Sequence, residues 1–130
     1  MHPKNYTIVS FDRREEEKAR KFLGELGIFS SVTFDTAEVS LVLRTEEWNQ
    51  LKGRFESFRE EGPYRLITFD IVLDLSIVGF LAVVSSRLAE AGISIYALST
   101  FLRDHILVKG EEAEEAMCVL QRLVDECRKR

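Results

Sequence analysis

The stretch from Phe69 to Val108 constrains this chain more than any other part of it. Leu66–Leu73 is an apolar run rich in β-branched residues, which predicts a strand. Asp74-Leu75-Ser76 then supplies short side-chain oxygens that can accept from the free amides of a first helical turn. Leu81, Val84, Leu88 and Ala89 recur at helical spacing. Gly92 stops that helix where a positive φ is wanted. Ile93–Phe101 reads as a second strand, Arg103-Asp104 as a tight connection and His105–Val108 as a third strand. A helix N-terminus is thereby left beside the edge of a sheet, and its amides suit a carboxylate or phosphate.

The first half of the chain follows the same order of elements. Tyr6–Phe11 alternates as a strand, and Asp12 can cap the helix that follows. Ala19, Phe22, Leu23 and Leu26 form that helix's apolar stripe, and Gly27 ends it. Ser30–Phe34 and Val39–Leu43 make a hairpin across Asp35-Thr36-Ala37-Glu38. Glu46–Phe55 is a short helix with Trp48 and Leu51 one turn apart. Glu60-Glu61-Gly62-Pro63 is the clearest break in mid-chain, and Glu111–Lys129 is a final helix with Ala116, Met117, Leu120, Leu123, Val124 and Cys127 on one face. The order β-α-β-β-α thus occurs twice, in residues 1–62 and 63–130. The expected class is α+β: two ferredoxin-like βαββα(β) units with antiparallel sheets and helices on one face. Each unit lacks a fourth strand of its own, so one solution is that Tyr64–Leu73 closes one sheet and Tyr6–Phe11 serves the other.

The segment of residues 64–123 resembles the ACT domain, a small regulatory module that binds amino acids. The likeness is carried by Asp74-Leu75-Ser76-Ile77-Val78-Gly79-Phe80-Leu81, Leu88-Ala89-Glu90-Ala91-Gly92-Ile93-Ser94-Ile95, Ala97-Leu98-Ser99-Thr100-Phe101 and Asp104-His105-Ile106-Leu107-Val108. It is nearest to the branch of cytosolic arginine sensors and their stand-alone prokaryotic relatives. That resemblance implies an effector pocket made by Asp74, Ser76, Ile77, Val78, Gly79 and Phe80 at the helix start and by Ser94, Ile95, Ser99 and Thr100 on the strand side. Many amino-acid-binding members carry Asn where this chain has Ser94, which has one hydroxyl in place of a longer amide arm. Bland readings stand beside these: Asp74 and Ser76 as a plain cap, Ser94 as the start of a strand, Ser99 and Thr100 as buried hydroxyls bonded locally. Asp104 reads as a turn residue or as the counter-charge for a basic ligand.

Composition narrows the alternatives. The net charge is −4, from 22 acidic and 18 basic residues, which argues against a nucleic-acid or anionic-membrane surface. No apolar run approaches a membrane span and the first residues lack a signal-peptide core. Cys118 and Cys127 are nine positions apart, about 13.5 Å along a helix, too far for one disulfide; they read as buried thiols of a reducing compartment, and the cytoplasm is expected. His2 and His105 share no ligand spacing with thiols or carboxylates, so neither a metal nor a cofactor is expected. No nucleophile–base pair or glycine-rich phosphate loop is present. The expectation is a non-catalytic, amino-acid-binding regulatory protein and a homodimer, with a metabolic enzyme as a further partner. The alternative is a dimerisation or docking module of an aspartate kinase-like enzyme without a ligand site.

Overall fold

A computed structural model describes residues 1–69 and 79–128. The chain divides into two compact units, one of residues 4–63 and one of residues 64–130 together with 1–3. The expected positions 74–78 of the helix start lie outside the described residues.

In the first unit, β1 (Asn5–Phe11), β2 (Ser31–Phe34) and β3 (Val39–Arg44) form antiparallel pairs, with Tyr6 opposite Arg44 and Ser31 opposite Val42. Asp12 does cap a 3-10 turn, its Oδ1 accepting from Arg14 N at 2.9 Å, which leads into α1 (Glu16–Lys21). α2 (Thr45–Leu51) is followed by a 3-10 turn at Lys52–Arg54. Alternation sends Val9, Phe11, Val39, Leu41 and Leu43 toward the helices, where Trp48, Leu51 and Phe55 complete the core. Phe11 and Phe55 have ring centroids 4.4 Å apart, and Phe58 stands edge-on to Trp48 at 5.0 Å, pairings that add to simple burial. Leu23, expected on the apolar stripe, is exposed, because α1 ends at Lys21 and the chain tightens into a 3-10 turn there.

β4 (Phe58–Thr68) supplies the fourth strand of this unit. Asp12 N donates to Ser57 O at 3.4 Å, and a Cβ on Gly62 would stand 3.0 Å from Tyr6 O. These two contacts place β4 antiparallel to β1. The expected break at Gly62-Pro63 coincides with the division between the two units, at Pro63-Tyr64, although β4 runs through it. Glycine is there because the neighbouring backbone leaves no room for a side chain.

In the second unit, residues 64–68 of β4 pair with β6 (Asp104–Lys109), and β6 pairs with β5 (Tyr96–Ser99), all antiparallel. The order is β4-β6-β5. α3 (Phe80–Glu90) and α4 (Ala113–Arg128) bury Val84, Leu88, Ala113, Ala116 and Leu120 against Ile67, Ile106 and Val108. Met1–Pro3 belongs here: His2 N donates to Leu66 O at 2.9 Å, and the Arg65 guanidinium donates to His2 O at 2.9 and 3.2 Å. The N-terminus thus lies along β4 in this unit, as a closing strand would.

Cys118 is exposed rather than buried, and Val124 is exposed too. The buried stripe of α4 runs through residues 113, 116 and 120, and position 118 falls on the opposite side of that helix.

Candidate functional site

α3 starts at Phe80, later than the Asp74–Ser76 signal suggests. Gly79 is its N-cap at φ 91°, and the first intrahelical bond runs from Val83 N to Gly79 O at 3.0 Å. A residue at that φ cannot be inside a helix, and only glycine takes it without strain. The amides of Phe80, Leu81 and Ala82 therefore precede the intrahelical ladder and can face an anion. Phe80 packs edge-on to Phe69, centroids 5.3 Å apart.

The same end of the unit collects the hairpin between β5 and β6. Phe69 N donates to Asp104 O at 3.0 Å. Ser99 Oγ donates to Asp104 Oδ1 at 2.7 Å. Thr100 Oγ1 donates to Arg103 O at 3.1 Å and lies 3.2 Å from His105 Nε2. On the other side of the ring, His105 Nδ1 is 2.9 Å from Thr68 Oγ1, which is 2.7 Å from His2 Nε2. His2, Thr68, His105 and Thr100 therefore form one hydrogen-bonded row. Since Thr100 gives its proton to Arg103 O, it accepts from His105 Nε2–H, which leaves Nδ1 to accept from Thr68. That tautomer satisfies a neutral ring. Burial, helped by His2 and Arg103, pushes the His105 imidazole below its ordinary value of 6.5, while Asp104 pulls the other way.

Ser94 and Ile95 lie between α3 and β5. They line an open groove of about 670 Å³ with Gly92, Ile93 and the small residues Ala82, Ser85, Ser86 and Ala89 of α3. Ser85 Oγ donates back to Ala82 O at 3.2 Å, and among the described residues no charged side chain lines the groove.

The ten sequence-derived positions fall into three sets. Gly79, Phe80, Ser99 and Thr100 share one end of the unit, Ser94 and Ile95 sit in the α3 groove, and Asp74, Ser76, Ile77 and Val78 fall outside the described residues. Ser99 and Thr100 are exposed, not buried in an apolar strand, because β5 ends at Ser99 and the turn begins there. Two groups went unread in the sequence. The groove's helix side was visible as small residues at positions 82, 85, 86 and 89, one face of a helix. The row His2–Thr68–His105–Thr100 bonds neighbours up to 66 residues apart in sequence, and no local pattern announces it.

Among the described residues no group of three or more His, Cys, Asp or Glu could hold a metal ion, and no helix is long and apolar enough to cross a membrane.

No curated protein matches the sequence. Several solved structures match its fold. A Vibrio cholerae protein of unknown function, described as a possible transport protein, is 24% identical with a TM-score of 0.72, over 93% of this chain and 84% of that one. A protein from Agobacterium tumefaciens is 25% identical with a TM-score of 0.72, over 92% and 82%. The ligand-free regulatory subunit of aspartate kinase from Thermus thermophilus is 12% identical with a TM-score of 0.66, over 92% of each chain. Such low identities establish a common fold, and that likeness spans both units. Residues 60–122, which hold the start of α3, the hairpin and three members of the hydroxyl–imidazole row, Thr68, Thr100 and His105, match the family model of the ACT domain.

Proposed function

We propose that this protein is a non-catalytic regulatory module, built from two ACT-like units, that binds a small amino acid and changes its assembly or partner binding in response. The observation that carries this reading is the gathering of α3's first-turn amides with Thr100, Ser99 and His105 at one end of the ACT-like region. The amides meet a carboxylate. The hydroxyls and Asp104 offer acceptors to an ammonium group. A ligand with different affinity for two arrangements of the molecule shifts their populations by that difference alone. The fold likeness to an aspartate kinase regulatory subunit supports a role in amino-acid sensing, with the cytoplasm as its setting and a homodimer as its assembly.

A thermal-shift screen against the amino acids tests this. A ligand at 100 times its Kd adds about 2.7 kcal/mol, a shift of several degrees for a chain of this size. Thr100→Val is expected to abolish the response and Ser94→Trp to leave it intact. The reverse pattern would move the ligand to the α3 groove, and a flat screen would remove the reading.

The second reading is a docking module for a biosynthetic enzyme, with no ligand. It is favoured by the tip of the β5–β6 hairpin, where Phe101 is 79% exposed and Leu102 53% exposed. A stoichiometric enzyme partner, captured without dependence on any amino acid, would select it.

A further inference from the structure

The row of hydroxyls and imidazoles in the second unit has a direction. Thr100 Oγ1 gives its proton to Arg103 O at 3.1 Å and accepts Arg103 N–H at 3.3 Å. Toward His105 it can only accept, which fixes the Nε2–H tautomer of that ring. His105 Nδ1 then accepts from Thr68 Oγ1–H, and Thr68, its proton committed, accepts from His2 Nε2–H. Every proton points from His2 toward the Arg103 carbonyl, so each bond polarises the next. The two imidazoles meet at one hydroxyl, 2.7 and 2.9 Å from it.

Thr68 limits the charge that this row can carry. A proton added to His2 goes on its other nitrogen, Nδ1, and leaves the direction of the row unchanged. A proton added to His105 goes on Nδ1, and Thr68 must then turn its hydrogen to His2 Nε2, which accepts only while that ring is neutral. With both rings charged, two N–H donors face one oxygen, the Thr68 proton has no place in the row, and two cations meet across a single hydroxyl. His105 is 7% exposed and His2 is half-buried, so the first proton goes to His2, where the charge keeps contact with water.

We propose that this row is a one-proton latch on the N-terminus: it holds residues 1–3 on β4 in its neutral and singly protonated states, and a second proton releases them. The latch needs no ligand and stands independently of the amino-acid reading. His2 is the end that yields, because His105 is fixed in β6 between β4 and β5. Its departure leaves Leu66 O, which accepts from His2 N at 2.9 Å, unpaired on the outer edge of β4. Among the described residues, the charges that bear on His105 are His2 and Arg103, which oppose its protonation, and Asp104, which favours it. Asp104 is turned to the other face of β6 and accepts from Ser99 Oγ. Arg65 of β4 donates to His2 O, and Lys109 stands four residues along β6 from His105, opposite Tyr64. β5 turns Tyr96 and Leu98 to this face, while α3 and α4 pack on the opposite one, against Ile67, Ile106 and Val108.

The experiment follows the ring ¹⁵N resonances of the labelled full chain from pH 8 to pH 4. The chain has two histidines, and His2→Gln assigns them. At pH 8 both rings are expected as Nε2–H tautomers. His2 should protonate first with its amide still bonded to Leu66, and His105 last, at the pH where that amide loses its protection from exchange. A glutamine at position 2 accepts from Thr68 as readily as it donates, so His2→Gln should raise the midpoint of His105 by about one pH unit, a tenfold change in proton affinity. Thr68→Val removes the shared hydroxyl, and in that background His2→Gln should move His105 by less than half as much. Packing alone would give no such dependence. An Nδ1–H tautomer at His105, a midpoint unmoved by His2→Gln, or an equal movement without the Thr68 hydroxyl overturns the proposal. So does loss of the whole second unit's amide dispersion in the same step, because the row would then support the unit and not a latch.

Discussion

Two buried titratable side chains hold local structure in place, and each makes the fold depend on pH in a different window. Glu15 Oε1 accepts the N–H groups of Glu56 and Ser57, both at 3.1 Å, just ahead of β4, and its Oε2 lies 3.4 Å from Lys18 Nζ. Burial alone pushes this carboxyl up, but the two backbone donors and Lys18 outweigh it and hold it below its ordinary value of 4.5. The folded state therefore prefers the ionised form, so this contribution is complete above that value and is lost as pH falls below it. His105 is a base shifted the same way, below 6.5, chiefly by burial. Its neutral form is the one that fits, so stability is complete above 6.5 and declines as pH falls below that point. Denaturant unfolding between pH 8 and pH 3 is expected to show both declines in turn. His105→Asn should flatten the first and Glu15→Gln the second. Glu15→Gln should also cost about 1–2 kcal/mol at pH 7 by weakening charge-assisted bonds. An acid limb unchanged by Glu15→Gln would show that the carboxylate is not what the limb reports.

At the scale of elements, periodicity exposed what is locally determined. The stripe at 84 and 88, the alternation through 39, 41 and 43, and the Gly92 stop, at φ 77°, all became buried faces or a helix end. The misreadings came where a neighbour overrode a local signal. Gly62-Pro63 marks the division between the units as its composition suggests, yet it does not interrupt the strand, because β1 approaches closely at Gly62. Cys118 looked buried because cysteine usually is, while the helix phase turned it outward. Gly79, Phe80, Ser99 and Thr100 were singled out in the sequence as a helix start and a hydroxyl-bearing strand, although α3 starts later and β5 stops sooner than that reading had it. The row through His2 and Thr68 was not, because it is assembled by tertiary pairing alone. The β5–β6 hairpin shows a different conflict. Thr100 N donates to Arg103 O at 2.9 Å, so Phe101 and Leu102 are a two-residue loop, and neither has the positive φ that such loops favour. Two exposed apolar side chains in an unsuited loop point to a use other than the turn itself. Phe101→Asn with Leu102→Gly is expected to raise stability by about 0.5–1 kcal/mol while reducing any self-association seen by analytical ultracentrifugation. If association is untouched, the hairpin tip is not the contact.

For the molecule as a whole, the chain order and the unit order differ, and that has a thermodynamic consequence. The first three residues belong with residues 64–130, and the chain passes between units at Pro3-Lys4 and again at Pro63-Tyr64. The second unit is therefore not a separable C-terminal piece, because its β4 draws on the N-terminus. The bonds that join them include His2 N to Leu66 O and two from the Arg65 guanidinium to His2 O, with the His2 ring against Thr68 in addition. Net contributions near 1 kcal/mol per bond, reduced for partial exposure, make deletion of His2 and Pro3 cost roughly 2 kcal/mol. The deletion also strips His105 of a neighbouring imidazole that helps keep it neutral. Two readouts should consequently move together: the denaturant midpoint should fall with an unchanged m-value, and the pH at which His105 titrates by NMR should rise. A drop in midpoint without movement of His105 would mean that the N-terminus supports β4 but not the row of hydroxyls and imidazoles. Movement of His105 at constant midpoint would mean that the row is tied to the N-terminus while the fold of the second unit is not.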